Sequence, residues 1–267
     1  MSTTVLDLRR FKDEGQRFVM LTCYDFQSAQ IFDEAGIPLM LVGDTLGIFV
    51  LGYDTTLPVT MDAMVHHCRA VSRGVRDGLV VGDLPFGSYE VSVAQGVDNA
   101  IRLVKEGGVA MVKFEGADVP LIEAITSAGV PVMGHLGLTP QSLNATGGYR
   151  VQARSEEAVV RLLDDARRIE GAGACALVLE AVPTEAAKRV TEAVGIPTIG
   201  IGAGPYCDGQ VLVSTEMLGM SAGHRPKFAK RYADLRTQIA SAAVCFAEEV
   251  AKGEYPDHEH SYDWAIR

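Results

Sequence analysis

The chain has 267 residues, of which 48% are hydrophobic, and a mean hydropathy of +0.14, enough apolar material for one large α/β domain or two small ones. A net charge of −10 excludes a broad electrostatic surface for nucleic acid or anionic lipid, while leaving room for local charges that receive an anionic small molecule. Five scattered cysteines (Cys23, Cys68, Cys175, Cys207 and Cys245) without CxxC spacing exclude a disulfide framework and a structural zinc site.

The first ten residues lack an apolar core and a cleavage-like ending, and no apolar run approaches the length of a bilayer span. The expected setting is therefore the cytoplasm or another reducing compartment, with no membrane partner. Residues 3–13 read as a short amphipathic helix, with Val5, Leu6, Leu8 and Phe11 on offer to one side, capping one end of the main domain. Phe18 to Leu21 is a first apolar strand. Asp25 follows it in position to cap a helix through Ala29, Ile31 and Phe32.

Next come Gly36-Ile-Pro38 and the run Leu39-Met-Leu-Val-Gly-Asp44-Thr-Leu-Gly47. Four apolar residues are too few for a helix. They read as a buried parallel strand that delivers an acid to a glycine-lined mouth. The punctuation recurs at Gly107-Gly-Val109, Ala128-Gly-Val-Pro131, Ala172-Gly-Ala174 and Val194-Gly-Ile-Pro197. Glycine just past a helix end closes it in the left-handed conformation, and a nearby proline prevents continuation. These are helix-to-strand junctions of repeated β/α units.

Eight strands are predicted, around Phe18, Leu39, Leu79, Ala110, Pro131, Ala176, Pro197 and Val211, with helices over 61–73, 93–106, 120–127, 156–171 and 184–193. Residues 205–209 are too few for a proper helix, and a long final helix is predicted over 232–252. Eight parallel strands in this length suggest one (βα)8 TIM barrel over residues 1–267, with its active site at the carboxyl ends of the strands. A doubly wound open sheet is the alternative.

Several strands end in polar residues. Asp44 and Asp83 each follow a Val-Gly pair, and a single acid there commonly caps the next helix. Two in matched contexts with Glu115 nearby suit a hard cation such as Mg²⁺. Lys113 and Glu115 share one strand face by period 2, with Phe114 opposed, and form either a structural ion pair or a receptor for a substrate carboxylate. Glu180 closes the run Ala176-Leu-Val-Leu179. Partial desolvation there suits a general base, with helix capping as the alternative. His135 ends its own strand, where a lone histidine is more often a satisfied polar group. Gly200-Ile-Gly-Ala-Gly204 has the look of an anion cradle but lacks GxGxxG spacing and a P-loop lysine. Cys207, beside it, reads as a bystander thiol.

Val42-Gly-Asp-Thr-Leu-Gly47, Gly52-Tyr-Asp-Thr-Thr-Leu-Pro-Val-Thr60, Asp83-Leu-Pro-Phe-Gly87, Val112-Lys-Phe-Glu-Gly116 and Gly134-His-Leu-Gly-Leu-Thr-Pro-Gln141 together resemble the ketopantoate hydroxymethyltransferase family. Thr22-Cys-Tyr-Asp25, Leu179-Glu180, Gly200-Ile-Gly-Ala-Gly204, Cys207-Asp-Gly-Gln-Val-Leu212 and His260-Ser-Tyr262 extend the likeness over nearly the whole chain. The resemblance implies a barrel of the phosphoenolpyruvate/pyruvate type with an N-terminal capping helix. It also implies hydroxymethyl transfer from 5,10-methylenetetrahydrofolate to 3-methyl-2-oxobutanoate, through a Mg²⁺-stabilised enolate, in pantothenate synthesis. Carried over by position, Asp44 and Asp83 are the Mg²⁺ ligands, with Glu115 in or just outside the coordination sphere. Asp44, Thr45, Asp83 and Lys113 contact the oxo acid, His135 lies near it, and Glu180 accepts the proton. A homodecamer is implied as well. Thr45 stands where the family more often has Ser, and Ser214-Thr-Glu-Met217 where it commonly has a Trp- or His-containing stretch. A related Mg²⁺-dependent carbon–carbon lyase would carry a loop of the Lys-Lys-Cys-Gly type, which this sequence lacks. A non-catalytic binding barrel would show no metal-dependent proton exchange.

Overall fold

Four of the five junction glycines adopt the left-handed conformation expected of helix closure, with φ of +77° at Gly36, +76° at Gly108, +83° at Gly129 and +100° at Gly173. Gly195 departs from the pattern because its helix ends by other means. The preceding Val194 is already extended, and the Glu170 carboxylate accepts the Gly195 and Ile196 N–H groups at 2.7 and 3.1 Å.

The computed structural model describes residues 2–223 and 226–264. The expected extent of 1–267 also takes in positions 1, 224–225 and 265–267, which lie outside the described residues. In chain order the first compact unit, Met1–Ser214, runs α1 (Val5–Asp13), β1 (Phe18–Thr22), α2 (Phe26–Glu34), β2 (Leu39–Val42), α3 (Leu46–Phe49), α4 (Met61–Gly74), β3 (Leu79–Asp83) and α5 (Val93–Arg102). It continues with β4 (Met111–Lys113), α6 (Val119–Ser127), β5 (Val132–Gly137), α7 (Leu143–Thr146), α8 (Glu156–Gly171), β6 (Ala176–Glu180), α9 (Thr184–Ala193), β7 (Thr198–Ile201) and β8 (Gly209–Leu212). The eight strands form a closed parallel barrel, sealed where Phe18 of β1 registers with Gly209 of β8. The open-sheet alternative is thereby excluded.

Side-chain caps fix where helices begin. Asp25 accepts the Ser28 N–H at 2.8 Å, as the sequence suggested, and Thr60, Ser92, Asp118 and Ser155 play the same part for α4, α5, α6 and α8. The predicted helix over 93–106 is not uniform: α5 gives way to a π-helical turn at Leu103–Gly107, a wider winding that periodicity alone does not reveal.

Period 2 decides the rest. Phe18 and Met20, Leu39 and Leu41, Leu79 and Val81, Met111, Met133, Ala176 and Val178, Ile199 and Val211 form one buried cluster, joined by Leu8 and Phe11 of α1. These are the inward positions of the strands, and α1 supplies the cap at their amino ends. One step further along the same faces come Asp83, Lys113, His135 and Glu180. The chemistry therefore sits on the layer directly above the apolar core.

Gly137, which ends β5, shows how tightly this layer is built. Its φ is +96°, and a Cβ there would run into the main-chain oxygen of Glu180 and approach Val182 Cγ1 at 2.8 Å. Gly137→Ala is expected to cost about 3 kcal/mol or more, from the left-handed backbone and the collision together. Chemical denaturation checks this, and a loss below about 1 kcal/mol would show that the strand end can relax.

The second compact unit covers Thr215–Arg267. The short helix α10 (Ser214–Met217) leads into it, and α11 (Leu235–Lys252) is its main element. Helix α11 has no buried residue and ends at Gly253 in the left-handed conformation. Ile239, Val244 and Phe246 are more than half exposed. Among the described residues no helix is long and apolar enough to cross a membrane.

Candidate active site

Asp44, Asp83, Lys113, Glu115 and His135 are all buried, at 3, 3, 4, 9 and 3% exposure. Five ionisable groups out of water in one molecule demand mutual compensation. The Lys113 ammonium lies 2.8 Å from Asp83 Oδ1. Asp83 Oδ2 accepts the Asp44 main-chain N–H at 3.1 Å. Residues distant along the chain thus meet at one end of the barrel, and Asp44 and Asp83 are direct neighbours.

Neither aspartate acts as a helix cap. Ser92 caps α5, the next helix after Asp83, and α3, after Asp44, has no side-chain cap. Asp44 lies two residues beyond β2, off the inward parity of its strand, and is held there by its N–H bond to Asp83. Lys113 is the last residue of β4, so the strand stops short of Glu115. The expected shared face continues past the strand end because Gly116 bridges to His135, its N–H reaching the His135 oxygen at 3.0 Å.

Electrostatics follow from the crowding. Burial, and then the neighbouring Asp83 charge, push the Asp44 carboxyl up to about 7, against the opposing pull of Lys113. Burial likewise holds Glu115 well above the usual carboxylate range. Burial works against the Lys113 ammonium, but Asp83, Glu115 and Asp44 outweigh it and its pKa is raised. Burial and the Lys113 charge lower the pKa of His135, so the ring is neutral near pH 7. Its Nδ1 lies 3.4 Å from the Lys113 ammonium, which can only donate. Nδ1 is therefore the acceptor and Nε2 carries the proton. That Nε2 lies 3.3 Å from Glu180 Oε2, near enough to approach it but without a well-directed hydrogen bond.

Glu180 is the last residue of β6, with its carboxylate 18% exposed, the most open of these acids. It does not cap α9, where Pro183 occupies the cap position and no side chain takes that role. Thr45 is tied to Tyr24, whose hydroxyl lies 2.9 Å from its Oγ1. The glycine-rich loop is explained by packing: Gly204 has φ +77° and no room for a Cβ beside Thr184. Burial raises the pKa of Cys207, in keeping with an unreactive thiol.

Sequence reasoning assigned no role to Gln141, Tyr89 or Tyr24, all buried here. Gln141 contacts two of the acids: its Nε2 donates to Asp44 Oδ2 at 2.8 Å and its main-chain N–H to Glu115 Oε2 at 3.0 Å. A signal did exist for the second contact. Pro140 opens the short 3₁₀ turn Pro140–Ser142, and the first N–H groups of such a turn have no internal partner.

The arrangement offers two adjoining carboxylates, a fixed cation and a more open acid beside a neutral imidazole. Comparison with known proteins agrees in both fold and family. A protein described as phosphonopyruvate hydrolase, in complex with oxalate and Mg²⁺, superposes with a TM-score of 0.61 over 97% of this chain and 93% of its own, at 14% identity, which is a likeness of fold. Named 3-methyl-2-oxobutanoate hydroxymethyltransferases are far nearer in sequence. That of Thermoanaerobacter sp. (strain X514) is 51% identical over 97% of this chain and 95% of its own length. That of Streptomyces avermitilis is 54% identical over 97% and 90%. With the family pattern itself matched over residues 2–258, the chain belongs to the ketopantoate hydroxymethyltransferase family.

Proposed function

We infer that the buried carboxylates hold Mg²⁺ and that Glu180 is the base in hydroxymethyl transfer from 5,10-methylenetetrahydrofolate to 3-methyl-2-oxobutanoate. The transferase activity in pantothenate synthesis follows from family membership. The observation that carries the residue roles is the meeting of Asp44 and Asp83 beside Lys113, one step above the core.

The fit to a hard cation is testable on the donors themselves. All are oxygens, and the buried Asp83 Oδ1 accepts no directed hydrogen bond although the ammonium is close. Among the described residues no three acidic, His or Cys side chains are already gathered round one point. Two carboxylate ligands, with the remaining positions left to water and substrate, are what Mg²⁺ commonly takes. Asp44 and Asp83 are the direct ligands in this reading, and Glu115 stands just outside them. When bound, the cation supplies a positive charge that polarises the keto group of the oxo acid and lowers the cost of negative charge arising next to it.

The chain's own residues do the remainder. Lys113 and the Thr45 hydroxyl, oriented by Tyr24, receive the substrate carboxylate. Glu180 accepts the C3 proton, and His135, offering Nε2–H, steadies its carboxylate. The resulting C3 nucleophile forms a bond to the methylene carbon of the folate cosubstrate, both C–N bonds of that bridge break, and water supplies the hydroxyl oxygen as tetrahydrofolate leaves.

The family match runs past the barrel to residue 258, which supports treating 1–267 as one functional domain. A homodecamer belongs to the same reading, supported by the apolar residues exposed on α11. A cytoplasmic setting is supported by the free cysteines.

The test is proton exchange at C3 of 3-methyl-2-oxobutanoate in deuterated water, followed by NMR. Exchange is expected with Mg²⁺ and no folate, and not after chelation. Equal exchange rates with and without the cation would overturn the metal reading.

A further inference from the structure

We propose that Gln141 is a positioning residue for the cation-binding carboxylates, locked in its working orientation by the Tyr89 hydroxyl. The inference rests on the cation reading above and names the device that spaces its ligands. Gln141 and Tyr89 are 5 and 7% exposed, and every polar atom of the Gln141 side chain is engaged. Nε2 donates to Asp44 Oδ2 at 2.8 Å and to the Leu84 oxygen at 3.0 Å. Oε1 accepts the Tyr89 hydroxyl at 2.5 Å.

That set of partners admits one orientation. Turning the amide over would point its oxygen at a carboxylate and a carbonyl, both acceptors, and would cost two hydrogen bonds in a buried site. The lock itself is firm, because the Tyr89 ring packs on Phe114 with centroids 5.3 Å apart. Phe114 is fully buried and lies between Lys113 and Glu115 in the chain.

Gln141 therefore spans the site. Its side chain holds Asp44, which follows β2, and its main-chain N–H holds Glu115, which follows β4, at 3.0 Å. Through Leu84 and Tyr89 it is tied to the segment after β3. One residue thus engages Oδ2 of Asp44, a direct ligand in the cation reading, and Oε2 of Glu115, which stands just outside the ligand pair. It also places two N–H dipoles against buried negative charge without adding a second cation. Outer partners of metal ligands commonly govern affinity in this manner.

The test is isothermal titration with MgCl₂ alone, without oxo acid or folate, on the wild type, Gln141→Met and Tyr89→Phe. Gln141→Met keeps the volume and the main-chain N–H, and it removes the donor to Asp44. Tyr89→Phe keeps the ring and removes only the lock. The expected result is Mg²⁺ binding weakened by tenfold or more in Gln141→Met and severalfold in Tyr89→Phe, with C3 exchange at saturating Mg²⁺ returning to within a few-fold of wild type. A role confined to packing would lower the melting temperature and leave the Mg²⁺ affinity unmoved. Affinities within twofold of wild type in both variants overturn the proposal, and Tyr89→Phe alone decides it if Gln141→Met does not fold. A wild-type protein that takes up no Mg²⁺ is a different result: it removes the cation reading and this device with it.

Discussion

Glu180→Gln is expected to leave the fold and oxo-acid binding intact while slowing C3 proton exchange by roughly 10²–10⁴-fold, the usual contribution of a positioned general base. Position is the first reason. Glu180 follows Val178 on the inward face of β6, and its carboxylate is the most open of the site's acids, at 18% exposure. Pairing is the second. Asp44 and Glu115 accept hydrogen bonds from Gln141 and Asp83 lies against Lys113, so those acids are engaged in holding one another. Glu180 has its Oε2 3.3 Å from the neutral His135, and among the described residues no cation is paired with it in the way that Lys113 is paired with Asp83. Glutamine has nearly the same shape, and its amide oxygen can take the place of the carboxylate oxygen that stands 3.3 Å from His135 Nε2, so a loss of rate reports the missing base and not a collapsed site. The measurement is exchange at saturating oxo acid and Mg²⁺, with oxo-acid affinity determined separately. Exchange at the wild-type rate would assign the proton to another group.

Much of the candidate site's geometry is legible in the sequence because a parallel barrel places its strand-end residues predictably. Val81 to Asp83, Met111 to Lys113, Met133 to His135 and Val178 to Glu180 are single steps of period 2 from the core to the polar layer, and an apolar run leading to a polar residue displays that step. Less was legible where position depends on the tertiary fold. Asp44 breaks the parity of β2, and only its N–H bond to Asp83 explains where it sits. Gln141 and Tyr89 belong to segments whose composition suggests no more than turns. Their hydrogen bond joins residues 52 apart in sequence, and no local spacing encodes it. The π turn at Leu103–Gly107 leaves no mark in the sequence because its residues satisfy an ordinary helical pattern.

Binding of Mg²⁺ is expected to strengthen about tenfold per pH unit on approaching neutrality from below and to level off above about pH 7. On the proposed reading the cation takes the ionised carboxylate, and burial together with Asp83 pushes Asp44 up to about 7 in the cation-free protein. Below that value a proton must leave before the ion enters. Glu115, also raised, steepens the dependence. Stability carries the same sign. A carboxyl whose folded pKa exceeds its unfolded value of about 3.8 favours the fold below the unfolded value, and that benefit is lost as pH rises through the folded one. Cation-free protein should thus melt lower at pH 8 than at pH 6, and Mg²⁺ should raise Tm more at pH 8. Asp83→Asn makes the argument specific. It deletes a ligand charge, so affinity should fall by at least ~100-fold, since outer partners alone account for 10–100-fold. It also removes the like charge beside Asp44, so the midpoint of whatever binding remains should move to lower pH. A variant with unchanged affinity would place the ion elsewhere. One with weakened affinity and an unmoved midpoint would mean that burial alone, and not its neighbour, sets the ionisation of Asp44.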